Sequence, residues 1–331
     1  MSIHAADLQF DIRKAVVTGG AGFIGSHIVD FLVDVLGVEV VIYDNLSSGN
    51  LSHIRRHLKK PNVTFVQADV LDLYTLKDTL EGVDTVFHLQ ANADVRGGME
   101  RRRFDLEQNT IATWNVLECM QLQGCRNIIF SSSATVYGEP TQFPTPEETA
   151  PLQTSLYGAS KFSGEAMIQA YCEYFEMRSF IFRFVSWTGK RYSHGVVYDF
   201  YKKLKHNPRA LEILGNGKQQ KSYLDVTDGV NGILVALAKA EEKKNIFNLG
   251  HDNFINVQEV ADIVCQEMGL KGVTFNIEDP EKERGWIGDS PLVHLDTTRL
   301  LSLGWQPQVS IADSIRSTVR YLIENPEPTG R

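Results

Sequence analysis

A tyrosine and a lysine lie four residues apart, at Tyr157 and Lys161 in the run SLYGASK. If Tyr157 opens a helix, Lys161 lies one turn later on the same face, about 6 Å along the axis. An ammonium group there favours the phenolate form of the tyrosine, whose ordinary pKa is about 10. A phenolate beside a nicotinamide can take the proton from an alcohol while its hydride leaves. The pair therefore predicts a redox enzyme that acts on a carbinol carbon, unless it is a surface tyrosine beside a solvated lysine.

A glycine-rich turn near the N-terminus supports the first reading. Gly20, Gly22 and Gly25 follow the short apolar run 14–17, and apolar residues then recur at helical spacing over 28–36. This spacing between a strand and a helix is typical of a dinucleotide-binding turn, in which the pyrophosphate approaches the backbone and the helix N-terminus.

Asp44 selects between the two nicotinamide cofactors. It ends the next predicted strand, 38–43. A carboxylate at this place accepts hydrogen bonds from the ribose hydroxyls and repels a 2′-phosphate, so we expect NAD rather than NADP. The alternative is an ordinary turn or helix-capping aspartate.

The surrounding elements fit an α/β fold, a doubly wound parallel Rossmann sheet with a smaller mixed C-terminal substrate domain. Predicted strands at 62–67, 83–88, 127–130 and 178–184 alternate with helices at 73–80, 109–122 and 157–175. We assign residues 1–185, with returning segments from 220–255, to NAD binding and residues 186–331 mainly to substrate. Ser131–Ser133 follow the fifth strand, where a hydroxyl can reach the tyrosine.

Composition excludes other classes of function. The net charge is −8 and the pI about 5.6, which argues against a nucleic-acid or anionic-membrane surface. The basic run Arg101–Arg103 is interpreted as a solvated helix face. No leader or membrane span is apparent, and four dispersed cysteines are typical of a reducing compartment, so we expect a cytoplasmic protein. The histidines are too scattered to predict a metal site.

Several motifs together resemble one family. They are TGGAGFIG at 18–25, DNL at 44–46, DV at 69–70, HL at 88–89, SSSATVYG at 131–138 and YGASK at 157–161. The chain is similar over about 14–305 to the extended short-chain dehydrogenase/reductases, specifically the NAD-dependent nucleotide-sugar epimerase/dehydratase group, and within it to the UDP-hexose 4-epimerases.

The resemblance implies roles for individual residues. Ser133 is the catalytic hydroxyl, Tyr157 the acid/base, and Lys161 holds the nicotinamide ribose and tunes the tyrosine. The residues that bind the cofactor are expected to be Gly19, Gly22, Phe23, Ile24, Gly25, Asp44, Asn45, Asp69, Val70, Leu89, Asn109, Tyr157 and Lys161. Those that bind the substrate are expected to be Arg96, Thr135, Ser186, Arg191, Lys221, Arg284 and Val293.

The reaction that the resemblance implies is inversion of C4 of a UDP-sugar through a transient 4-keto sugar, with NAD retained. Dehydratases of this group carry an Asp-Glu pair directly after the catalytic hydroxyl residue, whereas here Ser133 is followed by Ala134 and Thr135. A 4,6-dehydratase, a 4-ketoreductase and a non-catalytic NAD sensor remain alternatives.

The sugar itself is less clear, because the chain departs from the group's pattern around the substrate. Ser186 stands where an asparagine is usual, Lys221 and Trp286 where arginines are usual, and Val293 where some relatives have tyrosine. We expect UDP-glucose or, if Arg191 holds a C6 carboxylate, UDP-glucuronate. Arg191 could instead bind the diphosphate or face water.

Relatives form a two-fold dimer through the helices that correspond to 109–122 and 157–175. Trp114, Leu117, Met167 and Tyr171 are compatible with such an interface, but they could equally belong to the core. A homodimer is therefore an expectation from the resemblance alone.

Overall fold

The structure is a computed structural model that describes residues 7–92, 94–286 and 288–326. Its strands are β1 (Lys14–Thr18), β2 (Glu39–Tyr43), β3 (Val63–Val66), β4 (Thr85–His88), β5 (Asn127–Ser133), β6 (Arg178–Phe184), β7 (Ser186–Thr188), β8 (Ala210–Ile213), β9 (Gln220–Lys221), β10 (Tyr223–Asp225), β11 (Lys244–Leu249), β12 (Ile255–Asn256), β13 (Thr274–Ile277) and β14 (Leu292–Val293).

The α-helices connect these strands. They are α1 (Phe23–Phe31), α2 (Leu51–Ile54), α3 (Leu73–Thr79), α4 (Arg102–Asp105), α5 (Ala112–Gln123), α6 (Leu156–Phe175), α7 (Val196–His206), α8 (Val226–Lys239), α9 (Val257–Glu267), α10 (Thr298–Ser302) and α11 (Ile311–Glu324). Wider π-helical turns, Leu32–Leu36 and Leu106–Ile111, follow α1 and α4, and tighter 3₁₀ turns span Arg96–Met99 and Ala134–Tyr137.

One parallel sheet organises the described chain, in the order β11-β6-β5-β4-β1-β2-β3. From β1 the chain builds outward through β2 and β3, and it then returns to β4 on the other side of β1. The strand order reverses between β1 and β4, and a crevice opens outside the carboxyl ends of the strands at such a point. The topology therefore places the ligand site before any side chain is considered.

The sheet is buried on both faces. Along β1, Ala15 and Val17 belong to one apolar cluster, which includes residues of α1 and α8. Val16 belongs to a second cluster, with residues of α3, α5 and α6. A run of consecutive apolar residues is therefore required in this strand, as is typical of parallel sheets covered by helices on both sides.

The chain beyond β6 only partly joins this sheet. β11 pairs with β6 at the sheet edge, whereas β10 pairs with β7, β9 with β12 and β14, and β8 with β13. Helices α7, α9 and α11 pack on one another beside these small sheets. The predicted fold class is confirmed, whereas the division at residue 185 stays a prediction.

Two predicted elements differ from the structure in their bounds. Strand β5 continues through Ser133, because Ser131, Ser132 and Ser133 all pair with β6. The first three residues of the predicted helix 109–122, Asn109 among them, belong to the π-helical turn Leu106–Ile111, and the α-helix itself begins at Ala112. In the part of the chain that the structure describes, no helix is long and apolar enough to cross a membrane.

Candidate active site

A cleft of about 870 Å³ lies at the carboxyl ends of the sheet strands. One wall comes from the turns after β1, β2, β4 and β5, and the opposite wall from the small sheets and the segments after β7 and before β14. Ser133, Tyr157 and Lys161 all line it. The structure therefore brings together three residues that come from two separate parts of the sequence.

Ser133 is positioned by the end of β5 and by the turn that follows. Its hydroxyl oxygen accepts hydrogen bonds from the Thr135 backbone nitrogen at 3.2 Å and from the Thr135 hydroxyl at 2.9 Å. With its lone pairs engaged by the 3₁₀ turn, the Ser133 hydroxyl proton is free to be donated elsewhere. The hydroxyl also lies within hydrogen-bonding reach of the Tyr157 phenol.

Tyr157 lies in the first turn of α6. The helix begins where it does because the Ser155 hydroxyl caps it, accepting from the Gly158 backbone nitrogen at 3.0 Å. Burial in the cleft raises the pKa of Tyr157 to about 12, and the hydrogen bond with Ser133 opposes that rise. In the chain alone Tyr157 is therefore a protonated acid at neutral pH.

Lys161 is buried one turn further along α6. Its ammonium nitrogen donates to the Ser131 carbonyl at 2.7 Å and lies 4.8 Å from the centre of the Phe130 ring. Burial lowers the pKa of Lys161 to about 7, and the charge of Glu165 opposes this shift. Desolvation is the largest cause of both pKa shifts in the chain alone, and the effect of Lys161 on the phenolate stays a prediction for the NAD-bound protein.

The turn between β1 and α1 leaves room only for backbone. A Cβ atom on Gly25 would lie 2.1 Å from the Gly19 carbonyl oxygen, and one on Gly19 would lie 2.9 Å from Gln90 Cα. The N-cap residue of α1, Gly22, has no side chain to satisfy the first N–H groups, and the first turn carries no acidic residue. These features fit a pyrophosphate, which a helix N-terminus binds.

The expected adenosine end of the cleft lies beyond β2. Asp44 is buried; its carboxylate accepts from the Ala21 and Leu46 backbone nitrogens at 2.9 and 2.8 Å, and burial raises its pKa. Asn45 and Val70 line the cleft. Asp69 instead lies behind it, where its carboxylate accepts from the Asn45 amide at 2.7 Å.

The remaining expected cofactor residues divide in the same way. Gly19, Gly22, Phe23, Ile24, Gly25 and Leu89 line the cleft. Asn109 does not; it is buried and connects two elements, since its amide oxygen accepts from the Asn92 backbone nitrogen and its amide nitrogen donates to Ser160. Its position fits support of the site rather than contact with a ligand.

Four of the seven expected substrate residues line the cleft, three of them on the opposite wall. Thr135, Ser186, Lys221 and Val293 line the cleft. The Lys221 ammonium lies 2.6 Å from a carboxylate oxygen of Asp289 and 4.8 Å from the centre of the Trp286 ring. Asp289 is buried and also accepts from the Gly285 backbone nitrogen at 3.1 Å. This wall therefore offers a paired cation and anion to a polar ligand.

Two expected substrate arginines are not placed in the cleft. Arg191 pairs with Asp30 of α1 at 2.7 Å and does not line the cleft. Arg284 pairs with Glu139 and does not line it either. The side chain of Arg96 lies outside the described part of the structure. Among the described residues, the arginine that lines the cleft is Arg101, in the basic run interpreted from the sequence as a solvated face.

Sequence reasoning missed a buried charged network behind the serines. Arg183 of β6 donates to the two Glu165 carboxylate oxygens at 2.7 and 3.0 Å, and its other terminal nitrogen donates to the Tyr137 hydroxyl at 2.8 Å. The Ser132 hydroxyl also donates to Glu165. The sequence signal for this network was Glu165, four residues after Lys161, because residues four apart lie on the same face of a helix.

One group of potential metal ligands occurs among the described residues, away from the cleft. Asp30, Asp34 and His57 place one ligand atom each within 4.8 Å of one another. The two carboxylates already pair with cations, Asp30 with Arg191 and Asp34 with Lys60. Their charge is therefore used within the protein.

Comparison with known proteins places this geometry in a family. Residues 15–250 match the family model described as the NAD dependent epimerase/dehydratase family. A Methanocaldococcus jannaschii protein that carries a provisional name as a UDP-glucose 4-epimerase is 34% identical over 316 residues, covering 94% of this chain and 98% of the relative.

Solved structures agree with this result. A crystal structure of a UDP-galactose 4-epimerase is 37% identical with a TM-score of 0.84, covering 94% of this chain and 99% of that one. A Thermotoga maritima UDP-glucose 4-epimerase with UDP-glucose is 30% identical with a TM-score of 0.84. The match covers 95% of this chain and 100% of that one.

Proposed function

The chain belongs to the NAD dependent epimerase/dehydratase family, and on this premise we propose that it inverts C4 of a UDP-hexose or UDP-hexuronate. The observation that carries the proposal is the convergence of Ser133, Tyr157 and Lys161 on one wall of a cleft whose opposite wall offers Lys221 and Asp289. A reacting hydroxyl and a nucleotide diphosphate can thus be held at once.

The side chains supply proton transfer and orientation. When held by the glycine-rich turn and Lys161, NAD would supply the group that accepts the C4 hydride and returns it. Tyr157 takes the proton from the sugar O4 and gives it back once the 4-keto sugar has presented its other face. The Ser133 hydroxyl, held by Thr135, donates a hydrogen bond to the same oxygen. Lys161 supports the charge of the phenolate and binds the nicotinamide ribose.

A dehydratase would need further acid/base groups next to Ser133. Elimination of water removes the proton on C5 and protonates a leaving hydroxide, which a carboxylate and a carboxylic acid perform well. The turn after Ser133 carries Ala134 and Thr135, neither of which ionises in the working range. The chemistry of this turn supports the epimerase over the 4,6-dehydratase.

The sugar is proposed as glucose or glucuronate, but the residue proposed to bind a carboxylate differs from the one expected from the sequence. Because Arg191 is paired with Asp30, we propose Arg101 as the group that would meet a C6 carboxylate from the cleft lining. Arg101 lies 4.6 Å from the Phe104 ring centre and 3.9 Å from the Asp94 carboxylate, a longer pair than the 2.7 Å of Arg191 and Asp30, and its side chain is more than half exposed, so it can turn toward a ligand. Val293 leaves space near the sugar.

We further propose a homodimer in a reducing, cytoplasmic compartment. Trp114 of α5 and Tyr174 and Phe175 of α6 are exposed aromatic side chains on the helices that relatives use for dimerisation. Leu117, in contrast, is buried in the core. The four cysteines are free and buried, which supports a reducing environment.

Proton NMR of the purified protein with UDP-glucose and, separately, with UDP-glucuronate tests this function. No NAD is added, because a cofactor that is reoxidised in each cycle need not be replenished. We expect the C4 epimer of one substrate to appear, and we expect Tyr157→Phe to slow its formation by about 10²- to 10⁴-fold while NAD content is unchanged.

Arginine variants then identify the sugar. Arg101→Ala should reduce turnover of UDP-glucuronate and spare UDP-glucose, whereas Arg191→Ala should affect both alike through the Asp30 pair. Loss of the 6-hydroxyl as water, or no change in either substrate with NAD bound, would contradict the epimerase assignment.

A further inference from the structure

Asp105 is a buried carboxylate that the proposed chemistry does not use. It ends α4 and is 1% exposed. One oxygen, Oδ1, accepts from the Asn92 amide at 2.8 Å and from the Asn109 amide at 3.3 Å. The other, Oδ2, is buried and has no hydrogen-bond partner among the described residues. Burying a carboxylate with one oxygen unpaired costs free energy of folding, so we expect the group to have a role that offsets this cost.

A chain of hydrogen bonds leads from Asp105 to the first turn of α6. The Asn109 amide nitrogen donates to the Ser160 hydroxyl at 2.9 Å, and that hydroxyl donates to the Tyr157 carbonyl at 2.8 Å. The orientation of the Asn109 amide is defined, because its oxygen accepts from the Asn92 backbone nitrogen, which can only donate. Asp105 therefore positions the Asn109 amide, which in turn binds Ser160 in the first turns of α6.

The charge of Asp105 also reaches Tyr157. Of the charged groups on the surrounding elements, Asp105 raises the pKa of the Tyr157 phenol, while the Ser133 hydroxyl lowers it by hydrogen bonding. Lys161 lies on the same helix face, one turn away. Asp105 is itself faced by Asp94 and Arg101 from the preceding segment, and burial raises its own pKa. The charge of Asp105 thus raises the pKa of Tyr157, whereas the positive charges of Lys161 and of a bound nicotinamide would lower it.

We propose that Asp105 is a positioning residue for Tyr157, which orients the first turn of α6 through Asn109 and Ser160 and sets the proton balance of the phenol by its buried negative charge. The proposal rests on the proposed function, in which one tyrosine must both take and return a proton. A general acid/base that works in both directions needs a pKa near the operating pH rather than one lowered without limit.

Two variants separate the charge from the hydrogen bonds. Asp105→Asn keeps an oxygen that can accept from Asn92 and Asn109 but removes the charge. The alkaline shift caused by a like charge is then lost, so the limb of the pH–kcat profile that follows Tyr157 should move to lower pH by roughly half to one unit. Asp105→Ala should show the same movement and lose a further tenfold to hundredfold, roughly, in kcat from misplacement.

Glu107→Gln is the matched control. Glu107 follows Asp105 by two residues, pairs with Arg103 at 2.5 Å and lies at the surface, so its removal should leave both profile and rate unchanged. An Asp105→Asn protein with the wild-type pH midpoint, whether or not its rate has fallen, would show a structural role only and overturn the proposal.

A second readout does not depend on sugar turnover. Phenolate absorbance of the NAD-bound protein is titrated in the near ultraviolet, with Tyr157→Phe as the blank for the other tyrosines. The Tyr157 transition should occur at lower pH in Asp105→Asn than in the parent protein, even if no UDP-sugar is epimerised. An identical transition in the two proteins would overturn the inference while leaving the proposed function untouched.

Discussion

The two ionisable residues at the reacting end of the cleft are held away from their ordinary pKa values by burial. Tyr157 has its pKa raised to about 12 and Lys161 has its pKa lowered to about 7. Each shift favours the neutral form, because the cleft removes water that would solvate a charge. Charge at this site is therefore expected to develop only when a ligand supplies a partner for it.

Lys161 should destabilise the NAD-free protein in a pH-dependent way. The unfolded chain keeps this proton up to about pH 10.5, whereas the folded chain loses it above about pH 7. Stability therefore rises with pH between these values, and the cost of burying Lys161 is complete below about pH 7. Lys161→Met should raise the melting temperature at about pH 6, and the gain should shrink toward about pH 10.

Thermal unfolding across this range provides the measurement, with Lys271→Met as the control. Lys271 is exposed, so its replacement should change the melting temperature little at any pH. A gain from Lys161→Met that is the same at both ends of the range would contradict the assignment of a depressed lysine pKa.

At the scale of elements, the pair Arg183 and Glu165 joins β6 to α6 beside β5, the strand that ends at Ser133. The two side chains are 5% and 0% exposed. Through Ser132 and Tyr137 the same pair reaches β5 and the turn that positions Ser133. Removing one partner leaves an uncompensated buried charge, whereas removing both need not.

Arg183→Met should therefore lower the free energy of unfolding by about 3–5 kcal/mol, and Arg183→Met combined with Glu165→Leu should recover a large part of that loss. Urea denaturation of the two proteins measures both values.

The exposed pair Lys244 and Glu173 joins α6 to β11 at 2.9 Å and serves as the comparison. Lys244→Met should cost less than about 1 kcal/mol, because solvent screens that pair. A double variant no more stable than Arg183→Met alone would show that the side chains are needed for packing or hydrogen bonding rather than for charge compensation.

At the scale of the whole molecule, the exposed aromatic side chains on α5 and α6 support the proposed homodimer. Trp114 is 42% exposed on α5, and large apolar groups in such positions are typical of protein interfaces. Trp114, Tyr174 and Phe175 do not line the cleft. The Arg284–Glu139 pair connects the segments on either side of that cleft.

Trp114→Glu should convert the protein to a monomer, because a charge would be buried without a partner at the proposed interface. Sedimentation equilibrium at micromolar concentration measures the mass. Leu301→Glu is the control, since Leu301 is 42% exposed on α10, which packs on β11 and α8. A monomeric parent protein, or a Trp114→Glu protein that stays dimeric, would contradict the proposed interface.

Local signals predicted much of the fold and part of the site. The glycine spacing, the β-branched runs and the helix spacing of Tyr157 and Lys161 depend on neighbours in the chain, and they indicated the parallel sheet and the NAD-dependent family. The residues that the sequence placed wrongly in the cleft have long side chains. Arg191 and Arg284 have several torsions each, and their partners, Asp30 and Glu139, are distant in sequence.

The sequence by itself determined the fold class, because the periodicity of apolar residues and backbone sterics at glycine are local properties. It also indicated the cofactor through Asp44, and the family through the resemblance of its motifs. Only the tertiary structure decided which cations face the ligand, that burial dominates the pKa values of Tyr157 and Lys161, and that Asp105 stands behind the tyrosine. Desolvation and charge pairing depend on which groups the fold places around a side chain. The residues around this cleft come from segments far apart in the chain, so their effect on one another exists only in the folded protein.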